Sequence, residues 1–228
     1  GNFVVATKTS GTPLANQTQT FATDDLPLDQ HKAVLVTIED IAELQAKINV
    51  TNEFINQSGR DMAAEMDQFL ITDMEASPSA AGPDHIIVFD AGSAILKQDI
   101  LNARELLNQA NVAQEDRFLL AAPDQESSLM SISEFTRVDE SGGSAALRNG
   151  MIGKLFGFDV IVSSQADTDA TLFYQRSTHA FARQLAPRTQ SDLDLKNVGR
   201  EWLIDHIYGV KGLDGGKRIV RVNASGSP

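Results

Sequence analysis

Cysteine is absent from the chain, which excludes disulfides and thiolate-held metal or cluster sites. Aromatic residues are sparse, with one tryptophan and two tyrosines beside eleven phenylalanines. Histidines number four, at positions 31, 85, 179 and 206, with no H-E-x-x-H segment and no i, i+4 pair to hold zinc. Positive charge is also short. Lysine and arginine total 19 against 31 aspartates and glutamates, a formal charge of −12. A basic reader of nucleic acid has the opposite balance. No apolar run approaches the ~20 residues of a membrane-crossing helix, so no membrane partner is expected.

Several enzyme signatures fail at named positions. Gly153-Lys154 ends like a phosphate-binding loop, but Arg148 stands where its first glycine belongs and Leu155 where it needs serine or threonine. Neither G-x-S-x-G nor G-x-G-x-x-G occurs. Asp167-Thr168-Asp169 begins like a calcium loop, then places Thr171 and Leu172 where that loop needs an acid or amide and a glycine. Asp73 with Glu75, and Asp24 with Asp25, lack the same spacing and read as solvated faces. No catalytic, cofactor-binding or metal-binding residue is therefore assigned, and no cofactor is expected.

What is present is a folded chain of 228 residues, 42% of them hydrophobic, enough for one large domain or two small ones. Up to about Leu28 it is polar and rich in threonine, with a turn signal at Ser10-Gly11-Thr12-Pro13. A polar two-stranded arm of that kind is marginal alone, so by itself the segment reads as a frayed terminus, stable as an arm only if laid across a neighbouring subunit. His31–Ile38 reads as a strand. A long helix is expected from Thr51 to about Met74, with Ile55, Met62, Met66, Phe69 and Leu70 at helical spacing. Ala76-Ser77-Pro78 ends it, because the residue before proline avoids helical angles.

A second helix is expected over Ser93–Gln109. Its stripe Leu96, Ile100, Ala103, Leu107, Ala110 should pack on a sheet holding Phe118–Ala122 and Phe156–Val162. Pro123 suits the first turn of a short helix, with Asp124 and Glu126 near its positive end. Asp139–Ser144 reads as an exposed loop. Arg176–Ala182 follows, then a strand-like run over Trp202–Lys211 in which His206 is a sheet-face residue. A closing strand spans Arg218–Val222.

Between the loop and that run lies the most distinctive segment, Arg148 to Ser164. Gly150, Gly153 and Gly157 lead into the alternating apolar residues Phe156, Phe158, Val160 and Val162. This segment resembles the glycine-led strand of tailed-bacteriophage (caudoviral) major capsid proteins, and the order of elements along nearly the whole chain is similar to theirs. The resemblance implies an α+β fold of the Hong Kong phage type, with an extended loop, a peripheral domain with a long spine helix, and an axial domain. It places the extended loop and its return strand at 1–40, the spine helix and peripheral domain at 41–88, the axial domain at 89–194, and peripheral return strands with a tail at 195–228.

The implied function is structural, not enzymatic: self-assembly into hexamers and pentamers of an icosahedral shell around double-stranded DNA. Implied partners are further copies of the chain, a scaffolding protein, a portal, a decoration protein, and packaged DNA held only by non-specific contact. The implied location is the virion, after assembly in the host cytoplasm. Under this resemblance the acidity serves solubility or keeps an inner wall from holding DNA. Some relatives join a loop lysine to a neighbour's asparagine. Lys8, Asn197 and Glu201 do not form a specific motif for that reaction, so no cross-link is assigned. An encapsulin-like compartment and a small α/β enzyme on the Phe118–Val162 sheet are the alternatives. The enzyme would need a pocket of convergent polar groups.

Overall fold

The computed structural model describes residues 8, 10, 25–45, 50–78, 85–89, 94–132 and 153–223. The expected extended loop up to residue 24, the loop at 139–144 and the glycine-led entry at 148–152 lie outside the described residues.

Two sheets carry the fold. The first is three-stranded and antiparallel, in the order β1-β8-β7. Its centre is β8 (Gly199–Gly212), flanked by β1 (Gln30–Glu39) and β7 (His179–Asp194). Trp202, Ile204, Ile207, Tyr208 and Val210 suit β8 to a pleated, packed surface. Along β1 the even-numbered residues from Gln30 to Ile38 are buried or half-buried and the odd ones exposed, the period of a sheet covered on one face. Register joins Val34 to Ile204 and Leu35 to Leu203. On the other edge the pairing of β7 slips between Arg183 and Leu185 and again between Leu185 and Arg188. Pro187, without a backbone N–H, falls in the second slip, where an edge strand tolerates it.

The second sheet has six strands in the order β2-β9-β6-β3-β5-β4. These are β2 (Ile86–Val88), β3 (Arg117–Ala121), β4 (Lys154–Leu155), β5 (Phe158–Val162), β6 (Ala170–Gln175) and β9 (Ile219–Asn223). It is mixed: β2 with β9 and β3 with β5 are parallel, the other pairs antiparallel. The chain passes from this sheet to the first after β6 and returns after β8. Pairing of β7 with β8, and of β9 with β2 and β6, runs across the boundary placed near residue 194 from the sequence.

Helix α1 is short (Asp40–Gln45), and α2 (Val50–Ala76) is the long helix, about 40 Å at ~1.5 Å per residue. It stops just before Ser77-Pro78, as the proline requires. Its apolar pattern divides in two. Phe69 meets Tyr208 of the three-stranded sheet edge to face, with ring centroids 5.7 Å apart. Ile71 and Met74 are buried against Leu120, Leu172 and Ile219 of the six-stranded sheet. One helix thus bridges both sheets, and its second stripe escaped the single-face reading of the sequence.

Helix α3 (Lys97–Gln109) begins later than expected, because the Asp99 carboxylate accepts the Leu96 backbone N–H at 2.8 Å and fixes the first turn there. Leu96 is consequently exposed, while Ile100, Ala103 and Leu107 are buried with Leu119, Phe158, Phe173, Val220 and Val222. Pro123 opens α4 (Pro123–Met130), with Asp124 and Glu126 in its first turn.

The strand expected from Phe156 to Val162 is broken. Leu155 pairs with Phe158 across a two-residue turn in which Phe156 has φ 47° and Gly157 φ 92°. Two positive φ values suit the twist of a tight hairpin, and glycine supplies the second without strain. Phe156 therefore sits in the turn and not in the alternation. A Cβ built on Gly157 meets nothing within 4 Å. Overpacking is thus excluded as the cost of a side chain there, and strain at positive φ remains. Gly157→Val is expected to destabilise the subunit by about 1–2 kcal/mol. Equal denaturation midpoints for variant and parent would contradict the turn.

Candidate functional site

The three-stranded sheet presents different chemistry on its two faces. On the face covered by α2, the fully buried Tyr208 donates its hydroxyl hydrogen to Glu65 Oε2 at 2.8 Å. Lys32 Nζ holds the other Glu65 oxygen at 2.7 Å. Burial, followed by the Glu65 carboxylate, pushes the Tyr208 phenol well above its ordinary range. The His206 ring packs on Tyr208 at 4.9 Å, and burial pushes its imidazole toward the neutral form. This cluster locks α2 onto the sheet.

On the opposite face Arg188 grips Asp205 with both prongs, Nε to Oδ1 at 2.8 Å and Nη2 to Oδ2 at 3.1 Å. His31 Nε2 lies 3.2 Å from Asp205 Oδ2. The Arg188 hydrogen bonds lead in holding the Asp205 carboxyl down to about 2, against opposing desolvation and with help from His31. A carboxyl lowered on folding stabilises the fold above its unfolded value near ~4, and that contribution fades as pH falls toward about 2. Chemical denaturation between pH 5 and pH 2 should therefore show a steeper acid loss for the parent than for Arg188→Gln. Parallel curves would mean that Arg188 does not set this carboxyl.

The same face holds a shallow groove of about 400 Å³ lined by Leu35, Gln190, Ser191, Asp192, Glu201 and Leu203. Beside it, toward the turn between β7 and β8, Ile41, Leu193, Leu195 and Val198 are exposed, Leu195 at 87%. Apolar side chains gathered at one end of a subunit are the material of a protein interface.

The four histidines go to separate places. His85 donates to the Ile219 carbonyl at 2.8 Å, and His179 meets Ser77 at 2.9 Å and Asp73 at 3.2 Å. His31 and His206 occupy opposite faces of the three-stranded sheet, His206 on a sheet face as the sequence suggested. No group of three or more potential metal ligands occurs among the described residues. Asp73 and Glu75 are parted, Asp73 beside His179 and Glu75 accepting the Asp167 N–H at 3.1 Å. Burial leads in raising the Glu75 carboxyl. Asp167 caps its own turn, accepting the Asp169 N–H. Lys154 pairs with Asp159 at 3.4 Å. Asn197 donates to Asp194 within the β7–β8 turn. The Asp205 and Glu65 clusters were missed from the sequence. Their only signal was charge on strands and on one helix whose pairing was unknown.

No curated protein matches the chain. Among solved structures, a chain from Mycobacterium phage Che8 is 24% identical with a TM-score of 0.74, over 92% of this chain and 78% of that one. A chain in the capsid structure of the cyanophage P-SCSP1u is 16% identical with a TM-score of 0.76, over 100% of this chain and 82% of that one. The holo-SrpI encapsulin complex of Synechococcus elongatus PCC 7942 has the fold too, at 13% identity and a TM-score of 0.59, over 85% of this chain and 73% of that one. These likenesses establish the α+β capsid fold expected from the glycine-led segment. Residues 23–220 match the model of the family described as phage capsid protein, and the chain belongs to that family.

Proposed function

We propose that this capsid protein tiles an icosahedral shell as hexamers and pentamers and that the shell encloses double-stranded DNA. The observation that carries the reading is the family match over residues 23–220. The exposed apolar side chains at the β7–β8 end and the open face of β1 support it, since a shell needs contacts on several sides. Each contact can be weak, because a subunit held by several neighbours gains from their combined effect.

In this reading α2 with β1, β7 and β8 forms the peripheral unit, and the six-stranded sheet with α3 forms the axial unit. The segment before β1 is the part proposed to reach a neighbour. Scaffolding, portal and decoration proteins are the further partners, DNA contacts are non-specific, and assembly takes place in the host cytoplasm before the protein resides in the virion.

The encapsulin reading shares the fold alone, at 13% identity. Negative-stain microscopy of the purified protein, with absorbance at 260 and 280 nm, tests the proposal. Closed particles holding DNA after propagation are the expected result. Closed particles that hold protein cargo and no DNA would favour the compartment, and a protein that never leaves the monomer would overturn both.

A further inference from the structure

At the end of the six-stranded sheet where β3 and β5 begin, Arg104 of α3 and Arg117 face a small pocket completed by Gln114 and the Phe156–Phe158 turn. The pocket holds about 70 Å³. Arg117 is only 3% exposed. Its Nε donates to the Ala113 carbonyl at 2.9 Å and its Nη2 to the Val112 carbonyl at 2.7 Å. Those bonds satisfy donors but leave the charge uncompensated, and buried charges are as a rule paired.

No carboxylate among the described residues pairs with either arginine. Glu115 and Asp116 are neighbours in sequence but point to solvent. Asp159 pairs with Phe118, so it lies on the face of the sheet opposite Arg117 and is held by Lys154. The Lys97 ammonium lies 5.7 Å from the centre of the Phe156 ring, which lines the pocket. Burial and the nearby Arg104 charge both lower the Arg117 pKa, the signature of positive charge without a counter-ion.

We propose that this pocket receives the carboxylate of an aspartate or glutamate from a second copy of the chain. The inference rests on the shell reading above. Guanidinium forks match planar carboxylates. A chain with 31 acidic residues against 19 basic ones presents carboxylates to its neighbours far more often than it presents free cations. Size favours a side chain over nucleic acid. A duplex is a thick rod whose phosphates cannot enter a pocket of about 70 Å³ to reach a buried Arg117. The site joins one exposed guanidinium, which captures the carboxylate, to one buried guanidinium, which orients it.

The test uses sodium propionate as the probe, against sodium chloride at equal ionic strength, on unassembled subunits and on DNA-free shells. Propionate at about fivefold its dissociation constant should raise the melting temperature of parent subunits by about 2–4 °C. Arg104→Ala, at an exposed position, should keep the parent fold and lose that shift. DNA-free Arg104→Ala shells should come apart at lower denaturant than parent shells. Parent shells should not respond to propionate, because a neighbour already fills the pocket.

Parent subunits indifferent to propionate would overturn the carboxylate site. Shells that respond as fully as subunits would overturn the second-copy occupant. A defect of Arg104→Ala confined to DNA-filled particles would move the pocket to phosphate and overturn the proposal. Subunits that respond but never form shells would remove the shell reading and the occupant together, while leaving a carboxylate pocket on the monomer.

Discussion

Tyr208→Ala is expected to cost the unassembled subunit about 3–5 kcal/mol, the range for removing a buried aromatic ring. Tyr208 is fully buried on the central strand of the three-stranded sheet. Its ring meets Phe69 at 5.7 Å, His206 at 4.9 Å and Phe181 at 6.0 Å, so alanine leaves a void that three elements line. Tyr208→Phe keeps the packing and removes only the hydrogen bond to Glu65, whose other oxygen stays with Lys32. That change should cost about 0.5–1.5 kcal/mol. Phe69→Ala falls near the lower end of the aromatic range, at about 3 kcal/mol, because Phe69 is half-buried. The two alanine variants should combine less than additively, since each ring is the other's neighbour. Urea titrations of the three single variants and the double decide this. A Tyr208→Phe variant as damaged as Tyr208→Ala would place the stabilisation in the hydrogen bond and not in the packing.

The long helix was legible because its polar and apolar residues alternate at helical spacing and a proline marks its end. Its second stripe was not, since Ile71 and Met74 serve a different sheet from Phe69. A sequence window shows that residues are apolar, not which of two sheets receives them. Stripe residues of α3 were legible down to Ile100, Ala103 and Leu107, yet its start was misplaced by a side-chain cap from Asp99 that has no strong local signature. The capsid resemblance was carried by the segment around Phe156–Val162, although that segment is a hairpin turn and a strand and not one strand. The pattern marked a backbone requirement at Gly157, which survives in the turn.

The polar clusters were the illegible part. Asp205 meets Arg188 and His31 only once β8 has paired with strands far from it in sequence. Arg104 and Arg117 likewise come together when α3 covers the sheet. Each of these residues looks like an ordinary surface charge in the sequence. Burial beneath partners changes its chemistry, and burial is a property of the register.

Gly209→Ala is expected to be the most damaging change of a single methyl group. A Cβ built on Gly209 would lie 1.9 Å from the Pro27 carbonyl oxygen and 2.9 Å from its carbon, both backbone atoms of the segment that crosses β8. That segment is also tied by Lys211, whose ammonium donates to the Asp25 carbonyl at 2.6 Å. No flexible side chain can swing aside, so the segment or the strand must move. A cost of about 3 kcal/mol follows, at the upper end of ordinary overpacking. Gly59 is the control. It lies in α2 with nothing within 4 Å of a built Cβ, and it is exposed. Gly59→Ala should stabilise by about 0.5–1 kcal/mol, because alanine loses less backbone freedom in a helix than glycine. The two variants add the same methyl group to the same subunit with opposite expected signs. Thermal melts of unassembled protein separate them directly. A Gly209→Ala subunit that melts with the parent would mean that residues 25–28 do not lie across β8 in solution. It would also free the start of β1 to take a different path toward a neighbouring subunit.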